Sequence, residues 1–259
     1  MIKWGPGPAL IAVIVASGAM AIGLYVATIE GAADVGDAGR ANARALAAWE
    51  VDRGLGWTHD LADTWLSAGP LEHFWAIVYS LGYWPFLASA AAWALVFDRR
   101  RLQHLVVLVG LTGLVGVVVM TLVPVSPPRL IGASDPIRGT ALERFAHPDG
   151  LMNEHAAMPS FHVAWSIAAA ATLAVAGGPI GALRRIVWLQ PVLMTVATLT
   201  TGNHWVSDAA AGLVLIVVAW CPARLLVVAA RRQFAATRSG VPRPHGDRVG
   251  APVRARSNS

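Results

Sequence analysis

Six apolar stretches, near residues 8–28, 71–97, 102–124, 160–177, 185–201 and 205–229, leave this chain few ways to fold. A run of about 20 apolar residues is long enough for a helix to cross the hydrocarbon core of a bilayer. No water reaches that core, so each segment must satisfy its own backbone hydrogen bonds, which makes it helical. Charge agrees with this reading: only 14% of the 259 residues are charged, against roughly a quarter in a soluble domain. The sequence therefore predicts an all-α, six-span transmembrane helix bundle built as a single packed unit.

Arginine placement sets the orientation. If six spans alternate, Lys3, Arg99–Arg101, Arg184, Arg185 and the tail arginines fall on one side. That side holds 14 of the 20 basic residues, with only Asp98 and Asp247 as acids. Basic residues mark the cytoplasmic side. Both termini are expected there, and residues 29–70 (net acidic), 125–159 and 202–204 are expected outside. The net charge of +5 is spread over short loops and the tail, which argues against a nucleic-acid partner. Localisation in the cell membrane follows, with membrane lipids as partners.

Three regions emerge: an N-terminal anchor and outer loop (1–70), a membrane core (71–229) and a basic tail (230–259). The first span reads as an uncleaved anchor, with a signal peptide as the alternative. In the outer loop, Trp57, Leu61 and Trp65 recur at helical spacing. They form either a helix lying at the membrane surface or a cap packed over the bundle. The tail is rich in Arg, Pro, Gly and Ser and is expected to be disordered near anionic headgroups. Gly110, Gly113 and Gly116 suit close helix contact. The Ala168–Ala171 run predicts a central fourth span. The single cysteine, Cys221, reads as a small packing residue with no disulfide or redox role.

Three polar clusters interrupt or flank these spans: Pro127-Pro128-Arg129, Pro159-Ser160-Phe161-His162, and Thr201-Gly202-Asn203-His204 with Asp208. With the spans as drawn, all three lie at the outer face. Ionisable residues in a span are costly and are functional candidates by default. His204 and Asp208 are four apart and share a helix face. A carboxylate there fixes the imidazole tautomer and leaves its other nitrogen free to attack, although such a pair can also simply close a helix end. His162 suits a general acid. Ser160 suits a helix cap beside backbone N–H groups that would face an anion. Gly202 allows close backbone approach. Arg129 can donate two parallel hydrogen bonds to a phosphate, or can snorkel to headgroups. A zinc site on His162, His204 and Asp208, with His155 brought in, is the rival reading.

At these residues the chain resembles the type 2 phosphatidic acid phosphatase superfamily. Pro159, Ser160 and His162 match its Pro-Ser-x-His motif, and His204 and Asp208 match its His-x-x-x-Asp motif. The resemblance covers most of residues 71–229. It implies a bundle of the lipid phosphate phosphatase type and a metal-free enzyme without cofactor. By the same resemblance His204 is the nucleophile that becomes phosphohistidine, Asp208 orients it, and His162 protonates the leaving group. Arg129, Ser160, Gly202 and Asn203 hold the phosphate of a lipid phosphate or lipid-linked phosphodiester.

The chain departs from the usual motifs where Leu122 replaces a Lys and where Ala197 and Thr198 replace Ser-Arg. Pro-Pro-Arg, Ala-Ala-Met-Pro-Ser-x-His (Ala156 to His162) and Thr-Gly-Asn-His (Thr201 to His204) resemble the inositol phosphorylceramide synthase branch instead. Arg138 and Arg144, in the same outer loop, are the candidates to replace the missing cations. Water as acceptor gives a phosphatase, the favoured reading, and an alcohol such as inositol gives a phosphotransferase. A non-catalytic lipid-binding protein is the competing class.

Overall fold

A computed structural model of the chain describes residues 32–64, 68–147, 153–175 and 183–239. The expected first span, 8–28, and residues 240–259 lie outside the described residues. Within them the fold is helical: α1 (Ala32–Asp52), α2 (Pro70–Phe97), α3 (Arg99–Leu122), α4 (Phe161–Leu173), α5 (Leu189–Thr200) and α6 (Val206–Ser239). The described residues contain no strand, only a single parallel bridge between Val125 and Ala156.

Three helices are long and apolar enough to cross a membrane: Pro70–Phe97, Arg99–Leu122 and Val206–Gln233. The expected spans 160–177 and 185–201 are shorter as helices. At 1.5 Å per residue, the 13 residues of α4 rise only about 20 Å. The fifth is broken into Leu183–Ile186 and Leu189–Thr200. Pro191 accounts for the break, because it has no N–H to donate to Val187 and its ring crowds that carbonyl.

The remaining boundaries have local causes. Helix α3 begins three residues earlier than the apolar pattern does. The Asp98 side chain caps it by accepting from the N–H groups of Arg100 and Arg101, which satisfies donors that an uncapped helix leaves orphaned. Helix α6 runs ten residues past the expected end at 229. Arg231 ties this extension to α3 by donating from Nε to Gln103 Oε1 at 2.8 Å.

The core lies between α2, α3, α4 and α6. Ala90, Leu105, Leu108, Ala164, Ala168, Ala169, Ile216, Ala219 and Ala223 form its main cluster. Ala168, Ala169 and Ala170 are fully buried, so the fourth helix is central, as its alanine run predicts. Small side chains there let the neighbouring backbones approach closely. Gly116 takes this furthest, since a Cβ on it would overlap the Phe161 ring. Outward faces carry Val96, Phe97, Leu122, Val217, Val218 and Leu225, all exposed in the bare protein, as a lipid-facing surface requires. Cys221 is exposed as well, so it is not the buried packing residue that its apolar setting predicts.

The segment expected as an outer loop contains α1, and this helix packs inward. Its buried positions, Gly36, Gly39, Ala43 and Glu50, share one face. Gly39 sits so close to the loop after α3 that a Cβ would stand 2.9 Å from Ser126 Oγ. The Gly39 carbonyl accepts from Ser126 N–H, and Asn42 Nδ2 donates to the Pro124 carbonyl. A 3₁₀ helix, Gly56–Asp63, follows. It packs on α1 and α5 yet leaves Trp57 63% exposed, which combines features of the cap and of the surface helix. Trp65 lies outside the described residues.

Candidate active site

The three polar clusters come together at one end of the bundle. The opposite end holds Arg99–Arg101 and the Gln103–Arg231 contact. Chain breaks in the helical pattern create the site. The loop after α3 delivers Arg129, the start of α4 delivers His162, and the turn between α5 and α6 delivers Asn203 and His204.

That last turn depends on Gly202, whose φ is +64°, a left-handed conformation that side chains disfavour. A Cβ there would also stand 2.6 Å from the Ser134 carbonyl oxygen. The Gly202 carbonyl accepts from Arg129 N–H at 2.9 Å, which locks the two loops together.

His204 Nδ1 lies 3.4 Å from Asp208 Oδ2, and His204 Nε2 lies 3.4 Å from His162 Nδ1. Asp208 is fully buried. Its Oδ2 also accepts from the Trp205 backbone N–H at 2.9 Å, the carboxylate half of a capping box at the start of α6. Its Oδ1 has no hydrogen-bond partner among the described residues. The backbones of the two motifs are joined as well, since Ser160 N–H donates to the Asp208 carbonyl at 3.1 Å. The His162 ring is stacked on Tyr79, 4.6 Å between centroids, and tilted against Tyr83 at 4.9 Å. These tyrosines were invisible in the apolar run of the second span, although their spacing of four residues puts them on one helix face.

Arg129, Asn203, His162 and His204 line a single cavity together with Tyr79, Glu154 and Pro127. The Arg129 side chain is only 5% exposed. Its Nε donates to Asn203 Oδ1 at 3.0 Å, and its terminal nitrogens lie 3.8 Å from Asp135 and 3.6 Å from Glu154. Asn203 Oδ1 receives a second bond from His147 Nε2 at 2.8 Å. The amide orientation is fixed by Asn203 Nδ2, which donates to Thr201 O and Oγ1, so His147 carries its proton on Nε2. Burial holds the His147 imidazole below its usual range, and the nearby Arg129 charge adds to this. His147, Asp135 and Glu154 were not singled out in the sequence, where nothing separates them from ordinary loop residues.

Ser160 Oγ accepts from Val163 N–H and caps α4 as expected, but neither it nor Gly202 lines the cavity. Arg138 and Arg144 are exposed and also stay outside it. Arg144 instead lies over the Phe145 ring. His155 is turned away from the histidine pair and bonds Ser126 Oγ through Nδ1. Among the described residues, no three His, Cys, Asp or Glu side chains are arranged to share a metal ion.

Long apolar helices thus bring His162, His204 and a buried arginine to one cavity, with Asp208 behind His204, an arrangement of the kind found in membrane phosphatases and phosphotransferases. The chain belongs to the PAP2 superfamily, whose family model matches residues 44–222. No curated protein and no solved structure matches it. Members of this superfamily are phosphatases or phosphotransferases, so the coarse assignment is to an enzyme of that kind.

Proposed function

We propose that this protein hydrolyses a membrane lipid phosphate through a phosphohistidine on His204, at the extracytoplasmic face and without a metal. The observation that carries the reading is the position of His204 between Asp208 and His162, 3.4 Å from each. With Asp208 accepting from Nδ1–H, the Nε2 lone pair is the one aimed into the cavity. Nε2 attacks phosphorus and the ester P–O bond breaks. His162, entering as the imidazolium, gives its Nδ1 proton to the departing alkoxide and is left as the neutral imidazole. Water, deprotonated by His162, then attacks phosphorus, the P–N bond breaks, and inorganic phosphate leaves with His204 restored.

Arg129 supplies the positive charge for the phosphoryl oxygens. Asp135, Glu154 and Asn203 hold its guanidinium ready, so little ordering remains to be done when the substrate binds. Asn203 and His147 add neutral polar groups beside it. No second cation reaches the cavity from the usual motif positions, because Leu122, Ala197 and Thr198 carry no charge; Leu122 is 74% exposed and the other two are fully buried. A six-span topology with cytoplasmic termini is part of this proposal, supported by the Arg-rich end lying opposite the site.

A second reading keeps the same intermediate and replaces water with an alcohol such as inositol. It is favoured by the presence of Asn153 and Glu154 in the cavity wall, where the Glu154 carboxylate offers an acceptor to a polyol hydroxyl. Purified protein incubated with several lipid phosphates, with and without inositol and in the presence of EDTA, separates the two. Release of free phosphate supports the hydrolase, and a new phosphodiester supports the transferase. Loss of all turnover with EDTA contradicts the metal-free mechanism, and no turnover of any lipid phosphate points to a lipid-binding role.

A further inference from the structure

The first turn of α6 carries Asp208 and fixes where His204 stands, yet its N-cap residue cannot cap it. A helix start leaves several N–H groups orphaned, and the N-cap side chain normally accepts from the second or third of them. Here the N-cap position is Trp205, whose indole has no acceptor to offer. Asp208, the third helical residue, takes the Trp205 N–H. The N–H of Ser207, the second, is taken by Glu50 Oε1 at 2.8 Å. Glu50 comes from α1, 157 residues away along the chain.

Glu50 is fully buried. A carboxylate is retained in such a place only when it is paired and hydrogen-bonded. Its second oxygen, Oε2, lies 2.7 Å from His59 Nε2. The His59 ring in turn stands edge-on to the Trp205 indole, 4.9 Å between centroids and 87° between planes. Trp205 is further pinned by its Nε1–H, which donates to the Ser126 carbonyl at 2.9 Å. The pair therefore holds the His204–Asp208 turn at two points, the Ser207 N–H and the Trp205 ring. Its negative charge also sits at the positive end of the α6 dipole.

We infer that Glu50, held by His59, is a positioning residue for the nucleophile, acting as a cap supplied from α1 that fixes the His204–Asp208 geometry. It does not line the cavity and makes no hydrogen bond to His204, Asp208 or His162. Its effect is transmitted through the backbone of residues 205–208 and through the charge interaction of its carboxylate with Asp208. The inference rests on His204 being the nucleophile, and the test separates failure of the two.

The full chain in detergent is compared as wild type, Glu50→Gln, Glu50→Ala and His59→Phe. Four quantities are measured: amide hydrogen exchange over residues 204–210, thermal stability, the rate of phosphoenzyme formation per folded molecule, and KM. Glu50→Gln keeps an oxygen for the Ser207 N–H and is expected to stay within about threefold of wild type. Glu50→Ala and His59→Phe are expected to speed exchange locally. They should slow phosphoenzyme formation by about tenfold or more with KM within about twofold, the pattern of a displaced reacting group.

Glu50→Ala that loses thermal stability but phosphorylates at the wild-type rate per folded molecule overturns the inference. So does Glu50→Gln that is as slow as Glu50→Ala. If wild type forms no phosphoenzyme, the phosphohistidine reading has failed and exchange alone decides. Local acceleration confined to residues 204–210 in Glu50→Ala then supports the cap, and unchanged exchange overturns it.

Discussion

Asp208 stands one helical turn beyond His204 with Oδ2 3.4 Å from the imidazole Nδ1, and the same oxygen is tethered to Trp205 N–H at 2.9 Å. The tether matters because it fixes the carboxylate before any substrate arrives. An amide at position 208 keeps one oxygen that can accept from both donors, but it can also turn its NH₂ toward the ring and select the wrong tautomer. Asp208→Asn is expected to lower kcat by about 10²–10⁴ with KM little changed. Steady-state kinetics check this, and an equal loss spread over KM would argue for a binding role.

His162 is placed to donate a proton to the leaving group, which makes its importance depend on how much help that group needs. For an alkyl phosphate, His162→Asn should cost about 10²–10⁴ in rate. For a p-nitrophenyl ester, whose leaving group departs as a stable anion, the loss should be far smaller. Equal losses on both substrates would mean that His162 acts in binding or in packing against Tyr79 and Tyr83.

Gly212 on α6 faces the Ser160 carbonyl, and a Cβ there would overlap that backbone atom. Alanine is the better helix former by about 1 kcal/mol. Gly212→Ala is nevertheless expected to destabilise by about 1–3 kcal/mol, because α4 must move away. The movement separates His162 from His204, so activity should fall more than stability. Gly82→Ala serves as the control, since its Cβ would meet only side-chain atoms at ordinary contact distance, Met194 Cε at 3.4 Å, Val78 Cγ1 at 3.7 Å and Gln190 Nε2 at 4.0 Å. Thermal midpoints and activity of the two variants, measured side by side, check the contrast.

His147 gives the loop a pH dependence. Burial first and Arg129 second keep its imidazole below 6.5, while the Asn203 bond, Asp135 and Glu154 pull the other way without prevailing. The unfolded chain therefore binds this proton at higher pH than the folded one. The stability contributed by neutral His147 is complete above the unfolded value and is lost as pH falls through the lowered folded value. The thermal midpoint should drop as pH falls through the ordinary histidine range and below it, and His147→Gln should flatten that drop. Identical pH slopes in the two proteins would remove His147 from the account.

The motifs that converge on the candidate site were legible in the sequence because polar residues stand out against apolar spans, and because His204 and Asp208 carry their helix spacing with them. Helices α2 and α3 were legible for the same reason: their length and composition suffice. Helix α1 was not. Its buried face is made of Gly36, Gly39, Ala43 and Glu50, which has no apolar periodicity to read. Glu50, His59 and His147 reach the site only through contacts across 56 to 157 residues, a relationship that spacing cannot express. The break before Pro191 and the extension of α6 through Pro222 show the opposite limit. Proline marks a cost in both places, and tertiary packing determines whether the helix stops.

The most direct test of the central claim is to mix the purified protein with a radiolabelled lipid phosphate, quench within one turnover, and locate the label. The account predicts acid-labile, alkali-stable label on the peptide containing His204 in wild type, and none in His204→Ala. Label that persists in His204→Ala, or full turnover without any labelled protein, would contradict it.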